Sequence, residues 1–234
     1  MLINYAPTSS VSTFLHCWQA DLTAPGWPTA EGLLSPAEQA RQARLRTPAL
    51  RQTYGRAHGF LQNVLTNYNL FINKELTFTT DANGKPQLPA AGLHFNLSYR
   101  PGRALLAVSN AGPVGADVEP LTPLADADAL VAGLFAPAEQ AALRAAAPVE
   151  YWSLFYLIWT RKEAYAKALG IGLGMPFAAF SVLELRPGAP PALTAPAGAS
   201  LHSFAAGAGY QGALAALGGA GGPAIQHFTY SIDL

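Results

Sequence analysis

Residues 93–120 read LHFNLSYRPGRALLAVSNAGPVGADVEP. Three short runs rich in β-formers, at 93–98, 103–109 and 114–119, are separated only by the turn sequences YRPG and NAGP. Runs this short, bounded by turn residues, read as three short strands with turns between them. Any fold for this chain must therefore accommodate three short strands in close succession at its centre.

The flanking sequence predicts helices. SPAEQARQARLR opens on Ser35 as an N-cap, Pro36 at the first helical position and Glu38 three residues after the cap. Phe60, Leu61, Val64, Leu65 and Tyr68 recur at helical spacing within a helix expected over 52–68. Further helices are expected at 126–134, 137–146 and 149–168. Strands are expected near 14–20, at 74–80, in PFAAFSVLEL (176–185), around 203–207 and at 210–217. Asn83-Gly84 marks a turn, while the Pro/Ala/Gly-rich stretches 187–200 and 218–223 read as loops. The class is α+β. The order of elements suggests two similar halves, residues 1–112 and 113–234.

The bulk properties exclude several functions. Half of the 234 residues are hydrophobic, and 14 acids balance 14 bases. An electrostatic nucleic-acid binder carries a basic excess, so none is expected here. One cysteine, Cys17, builds neither a disulfide framework nor a cysteine-rich zinc site. The histidines, at 16, 58, 94, 202 and 227, are scattered. No secretory signal or apolar stretch of membrane-spanning length is evident, so a soluble cytoplasmic protein is expected, with no membrane partner.

Charge is sparse, at 12% of residues against about 25% in an average domain. It is concentrated in two places. In VGADVEP, strand alternation puts Val114, Ala116 and Val118 on one face and Gly115, Asp117 and Glu119 on the other. Two neighbouring carboxylates repel, and a hard cation such as Mg²⁺ or Ca²⁺ relieves that. By itself the triplet reads first as the solvated face of an edge strand. The second place is WTRKEAYAK (159–167), directly after the aromatic run YWSLFYLIW. On a helix, Trp152, Tyr156, Trp159, Glu163 and Lys167 share a stripe about 80° wide. Glu163 and Lys167, four apart, suit a surface ion pair. A carboxylate continuing a Trp/Tyr face fits a functional site better, since burying it costs several kcal/mol unless it is paired or metal-bound. The glycines of GIGLG follow this helix rather than precede it. That position excludes a phosphate loop and makes Gly170 a C-cap.

In combination, GADVE (115–119) and WTRKEAYAK (159–167) resemble the Gly-Ile-Asp-x-Glu and Trp-x-x-Lys-Glu-(Ser/Ala)-x-x-Lys motifs of the Sfp-type 4′-phosphopantetheinyl transferases. NGKPQLP, HFNLSY and SFAAGAGYQGALA resemble further segments of that family, so the likeness runs from about residue 33 to 217. It implies a monomeric pseudo-dimer of two α+β halves with coenzyme A bound between them. It implies Mg²⁺-dependent transfer of the phosphopantetheine arm to a serine of an acyl or peptidyl carrier protein, with release of 3′,5′-ADP. Asp117, Glu119 and Glu163 would then hold Mg²⁺. Glu163 would serve as base for the serine hydroxyl, and Lys167 would contact the phosphates and assist the leaving group. Lys85, Ser98, Tyr99, Lys162, Arg44, Arg51 and Arg56 would line the coenzyme site. The family's Ser-His pair reads Ser98-Tyr99 here, and tyrosine carries no imidazolium charge; Arg100 or Arg103 are the residues placed to compensate. A catalytically silent scaffold and a Mg²⁺-dependent nucleotide phosphohydrolase are the alternatives. The region 121–140, with Leu134 and an exposed Phe135, is the expected carrier-docking surface.

Overall fold

The computed structural model describes residues 13–27, 34–72, 78–88, 92–186, 189–218 and 223–230. It is a mixed α+β fold. In chain order the elements are β1 (Leu15–Asp21), α1 (Pro36–Ala43), α2 (Pro48–Ile72), β2 (Thr79–Thr80), β3 (Pro86–Gln87), β4 (His94–Arg100), β5 (Arg103–Ser109), β6 (Val114–Pro120), α3 (Ala127–Leu134), α4 (Pro137–Ala145), α5 (Tyr151–Leu169), β7 (Leu183–Arg186), β8 (Ala189–Leu193), β9 (Ala199–Ala205), β10 (Tyr210–Leu217) and β11 (Ile225–Tyr230).

Two sheets carry the architecture. One has the order β11-β1-β5-β4, the other β6-β10-β9. Strand alternation gives each sheet two apolar faces. Trp18 and Ala20 of β1 with Ala104, Leu106 and Val108 of β5 pack on Phe60, Leu61, Val64, Leu65 and Tyr68 of α2. The intervening residues Leu15, Cys17, Leu105 and Ala107 turn the other way and meet Val114, Ala116, Val118 and Leu214 of the second sheet. The outer face of the second sheet, through Ala213 and Ala215, receives Ala164 and Ala168 of α5. The layers thus run α2, sheet, sheet, α5. Burial pushes the Cys17 thiol between the sheets up to about 12, far from a reactive thiolate.

The three central strands fall where the sequence predicts them, but only β4 and β5 pair as a hairpin, while β6 crosses to the second sheet and pairs with β10. Ser35 and Glu38 form the full capping box, and Gly170 ends α5 with φ 72°, its N–H bonded to Ala166. Several elements differ. Helix α2 extends beyond 52–68 at both ends. In the strand expected at 74–80, only Thr79–Thr80 is seen as strand; residues 73–77 lie outside the described residues. In 176–185, residues 177–179 form a 3₁₀ turn and a strand begins only at Leu183. The carbonyls of Phe177 and Phe180 point inward to Lys162 and are lost to a ladder. The stretch 187–200, read as loop, contains β8, whose two prolines are tolerated because it pairs with β7 alone; of 218–223, residues 219–222 lie outside the described residues. Strand β11 was not anticipated. It returns to run parallel to β1, with Leu15 opposite Ile225.

Candidate active site

The charged cluster sits where β4, β6 and α5 meet. Alternation along β6 sends Gly115, Asp117 and Glu119 away from the inter-sheet core, as the pattern predicts. The solvated-face reading does not survive: Asp117 is 1% exposed and Glu119 7%. Gly115 lets α5 lie directly on the strand. A Cβ there would fall 2.0 Å from the Ala164 carbonyl oxygen and 2.5 Å from the Ala168 nitrogen. This contact sets Glu163 and Lys167, one residue before each of those alanines, over the two strand carboxylates.

Strand β4 fixes the other side. Asn96, Ser98 and Arg100 alternate onto one face and reach β6 in sequence. Asn96 Oδ1 accepts from the Ala116 N–H at 2.8 Å. Ser98 Oγ donates to Asp117 Oδ1 at 3.1 Å. Arg100 grips Glu119 with both arms, Nε to Oε2 at 2.6 Å and Nη2 to Oε1 at 2.5 Å. Asn96 went unnoticed in the sequence because its role exists only across the sheet seam. The sequence offers Arg100 only as a substitute for the family's missing histidine charge.

Lys167 does not form the helix-surface pair with Glu163. Its Nζ lies 2.5 Å from Asp117 Oδ1 and 3.3 Å from Ser98 Oγ. The other Asp117 oxygen, Oδ2, is buried without a hydrogen-bond partner. Buried polar atoms are rarely left so. Burial holds the Glu163 carboxyl above its usual range; Lys167 opposes this, the charges of Asp117 and Glu119 add to it, and Arg100 again offsets.

The fit to a metal follows from these contacts. Among the described residues, no three acidic, histidine or cysteine side chains form a ready ligand set, and Arg100 occupies both oxygens of Glu119. An orphaned Asp117 oxygen near Glu163 nevertheless suits Mg²⁺, which takes one or two carboxylates and completes its shell with water and substrate phosphates.

Other predicted site residues lie elsewhere or are already engaged. Lys162 is corrected from a coenzyme contact to an internal strut. It is 0% exposed, 2.9 Å from Glu139, and donates to the carbonyls of Phe177 and Phe180 at 2.6 Å each, which uses its three hydrogens. Lys85 is half-buried, engaged with backbone carbonyls, and lines a cavity with Asp81, His94 and Gly170. Its Nζ caps the C-terminus of α5 and the start of β6, through Lys167 O at 2.5 Å, Val114 O at 3.1 Å and Ala168 O at 3.3 Å. Arg51 and Arg56 each give one guanidinium arm to a backbone carbonyl, of Leu45 and Leu22 respectively, and Arg44 is the exposed C-cap of α1. In the first helices it is Arg41 that lines a groove, of about 760 Å³, with Tyr54, His58 and Phe78. Tyr99 faces away from Ser98, its ring edge-on to His58 with centroids 5.9 Å apart. An imidazole therefore does stand near position 99, supplied by α2. Arg103 stands beside Asp21 at 3.7 Å and over the Tyr210 ring, outside the carboxylate cluster. Phe135 is corrected from exposed to fully buried, stacked on Phe155 at 5.2 Å.

Comparison with known proteins shows which family the chain resembles. Residues 113–215, which include β6 and α5, match the 4′-phosphopantetheinyl transferase superfamily. The 4′-phosphopantetheinyl transferase HetI of Nostoc sp. (strain PCC 7120) is 32% identical over 169 residues, 70% of this chain and 71% of HetI. The 4′-phosphopantetheinyl transferase Sfp of Bacillus subtilis (strain 168) is 29% identical over 123 residues, 52% of this chain and 54% of Sfp. AcpT of Escherichia coli (strain K12) is 39% identical over 88 residues, 37% of this chain and 45% of AcpT. The chain belongs to the 4′-phosphopantetheinyl transferase superfamily, enzymes that move the phosphopantetheine arm of coenzyme A onto carrier proteins. No helix among the described residues is long and apolar enough to cross a membrane.

Proposed function

We propose that this enzyme acts as a monomer, with Mg²⁺, on coenzyme A and a serine of an acyl or peptidyl carrier protein, releasing 3′,5′-ADP. The observation that carries the reading is the buried, unpartnered Asp117 Oδ2 beside Glu163 and Lys167. Asp117, Glu163 and Glu119 are the residues that would hold the metal, and Mg²⁺ there would neutralise pyrophosphate charge.

The chain's own groups do the rest. Phosphoryl transfer demands positioning and charge neutralisation more than covalent chemistry. Glu163, with its carboxyl held above the usual range, is a stronger proton acceptor than an ordinary glutamate and takes the serine proton. Lys167 bridges Asp117 and Ser98 and presents its ammonium toward the phosphates that leave with ADP. The groove lined by Arg41, Tyr54 and His58 is suited to the nucleotide end, pairing a cation with aromatic faces. The segment from Leu121 to Leu134, leaving β6 beside Glu119, is the proposed carrier face. The division into halves at 1–112 and 113–234 is likewise a proposal, one in which β11 crosses back to the first half.

Intact-mass spectrometry of an apo acyl carrier protein, incubated with this enzyme, coenzyme A and Mg²⁺, tests the reading. A gain of one phosphopantetheine arm is expected, abolished by EDTA and reduced at least about a hundredfold in rate by Glu163→Gln, the usual scale for losing a general base. No gain from a folded enzyme with several carriers overturns it.

A further inference from the structure

The contacts of Arg100 bear on how the carboxylate cluster opens, an inference that rests on the metal-dependent reading above. Three carboxylates, Asp117, Glu119 and Glu163, face two cations, Lys167 and Arg100. With all groups ionised, a divalent metal would meet a net charge of only minus one. Glu119 offers it nothing, since both oxygens are held in a bidentate clamp, the strongest geometry an arginine makes with a carboxylate. Arg100 itself is not locked in. Its side chain is 46% exposed, while the Glu119 side chain beneath it is 10% exposed.

We propose that Arg100 is a positioning residue that stands in for the metal's charge at Glu119 and releases that carboxylate only when an anion draws the guanidinium away. Glu119 stays ionised and oriented in the resting enzyme, paired with a cation rather than repelled by Asp117. A coenzyme pyrophosphate reaching the exposed edge of Arg100 offers the same fork geometry as the carboxylate it replaces. The guanidinium then moves to phosphate, and Glu119 becomes free to ligate. Metal alone is held weakly, and metal with a pyrophosphate is held well. Binding of the two ligands is therefore coupled, and the coupling is reciprocal.

Mn²⁺ titration of the full-length enzyme, with free Mn²⁺ read by its electron paramagnetic resonance signal and no coenzyme present, tests this. Arg100→Met is expected to bind Mn²⁺ at least about tenfold tighter than the parent, a change of about 1.4 kcal/mol. The gain is expected to vanish in Arg100→Met/Glu119→Gln, because it comes from the freed carboxylate. Arg100→Lys, which holds one oxygen rather than two, is expected to show a smaller gain of the same sign and covers the case in which the Met variant does not fold. Equal or weaker Mn²⁺ binding in a folded Arg100 variant overturns the proposal. So does a gain that persists without Glu119. The carrier mass assay on the parent enzyme reports separately on the transferase reading. A parent that modifies the carrier while Arg100→Met binds Mn²⁺ no tighter loses the exchange and keeps the function.

Discussion

Two neighbouring residues of α5 show how far a side chain's role depends on what lies opposite it. Lys162 and Glu163 are adjacent, yet Lys162 is sealed against Glu139 while Glu163 faces the strand carboxylates. Glu139 also accepts the backbone N–H groups of Ala136 and Val182, at 2.8 and 2.7 Å, so it is fully committed to the interior. Removing one partner of a buried ion pair leaves the other charge uncompensated, at a cost of about 3–5 kcal/mol. Lys162→Met is accordingly expected to lower the urea midpoint by that equivalent, and Lys162→Met/Glu139→Gln to recover part of it. Activity per folded molecule should stay near the parent's, since Lys162 has no hydrogen left for a ligand; a large loss at full folding would return it to the coenzyme site. The sequence marked both residues because charge is rare in this chain. It could not separate them, because helical spacing fixes direction around the axis but not the partner met there. The same limit misplaced Phe135, whose neighbours are distant in sequence.

Among the elements, β6 and α5 form the joint on which the site depends, and Gly115 is its pivot. The Cβ of an alanine there would lie within 2.0 Å of backbone, which no side-chain rotation relieves. Gly115→Ala should push α5 off the strand. Overpacking of this kind costs about 1–3 kcal/mol or more, a fall in Tm of roughly 2–12 °C for a chain of this size. The loss of transfer rate, measured well below the new Tm, should exceed the loss of stability, because Glu163 and Lys167 ride on the displaced helix. A variant as active as the parent but less stable would show that the joint tolerates the shift. Much at this scale was legible. The capping box, the three central strands, the Gly170 cap and the face assignment of Val114 to Glu119 all follow from local rules of spacing and capping. What stayed hidden was cross-strand. Asn96, Ser98 and Arg100 stitch β4 to β6 through side chains, and no local pattern announces that. Strand β8 hid behind its prolines, and 177–179 behind an apolar pattern that also suits a strand.

Over the whole molecule, acid should weaken the fold at the first sheet. His16 is buried against Tyr68, its Nδ1 2.5 Å from the tyrosine oxygen. Burial lowers its pKa to about 4, partly opposed by a hydrogen bond with Gln226. Below about 6.5 the unfolded chain takes up a proton that the folded chain refuses until about 4, so stability falls as pH drops through that window. At about 1.4 kcal/mol per pH unit the loss approaches about 3 kcal/mol. Urea titrations at pH 7 and pH 4.5 should show a larger difference for the parent than for His16→Gln; equal differences would place the acid sensitivity elsewhere. Gln226, which bonds His16, belongs to β11, and that strand has a consequence for how the protein is made. The first sheet gains its fourth strand only from residues 225–230, set parallel beside Leu15–Ala20. A ribosome delivers those residues some 200 positions after β1, at roughly 5–20 residues per second. For that interval, on the order of ten seconds or more, the nascent polypeptide carries an unpaired β1 edge open to any other strand. The enzyme's yield in a cell should therefore respond to chaperones that shield such edges during translation, more than its equilibrium stability would suggest.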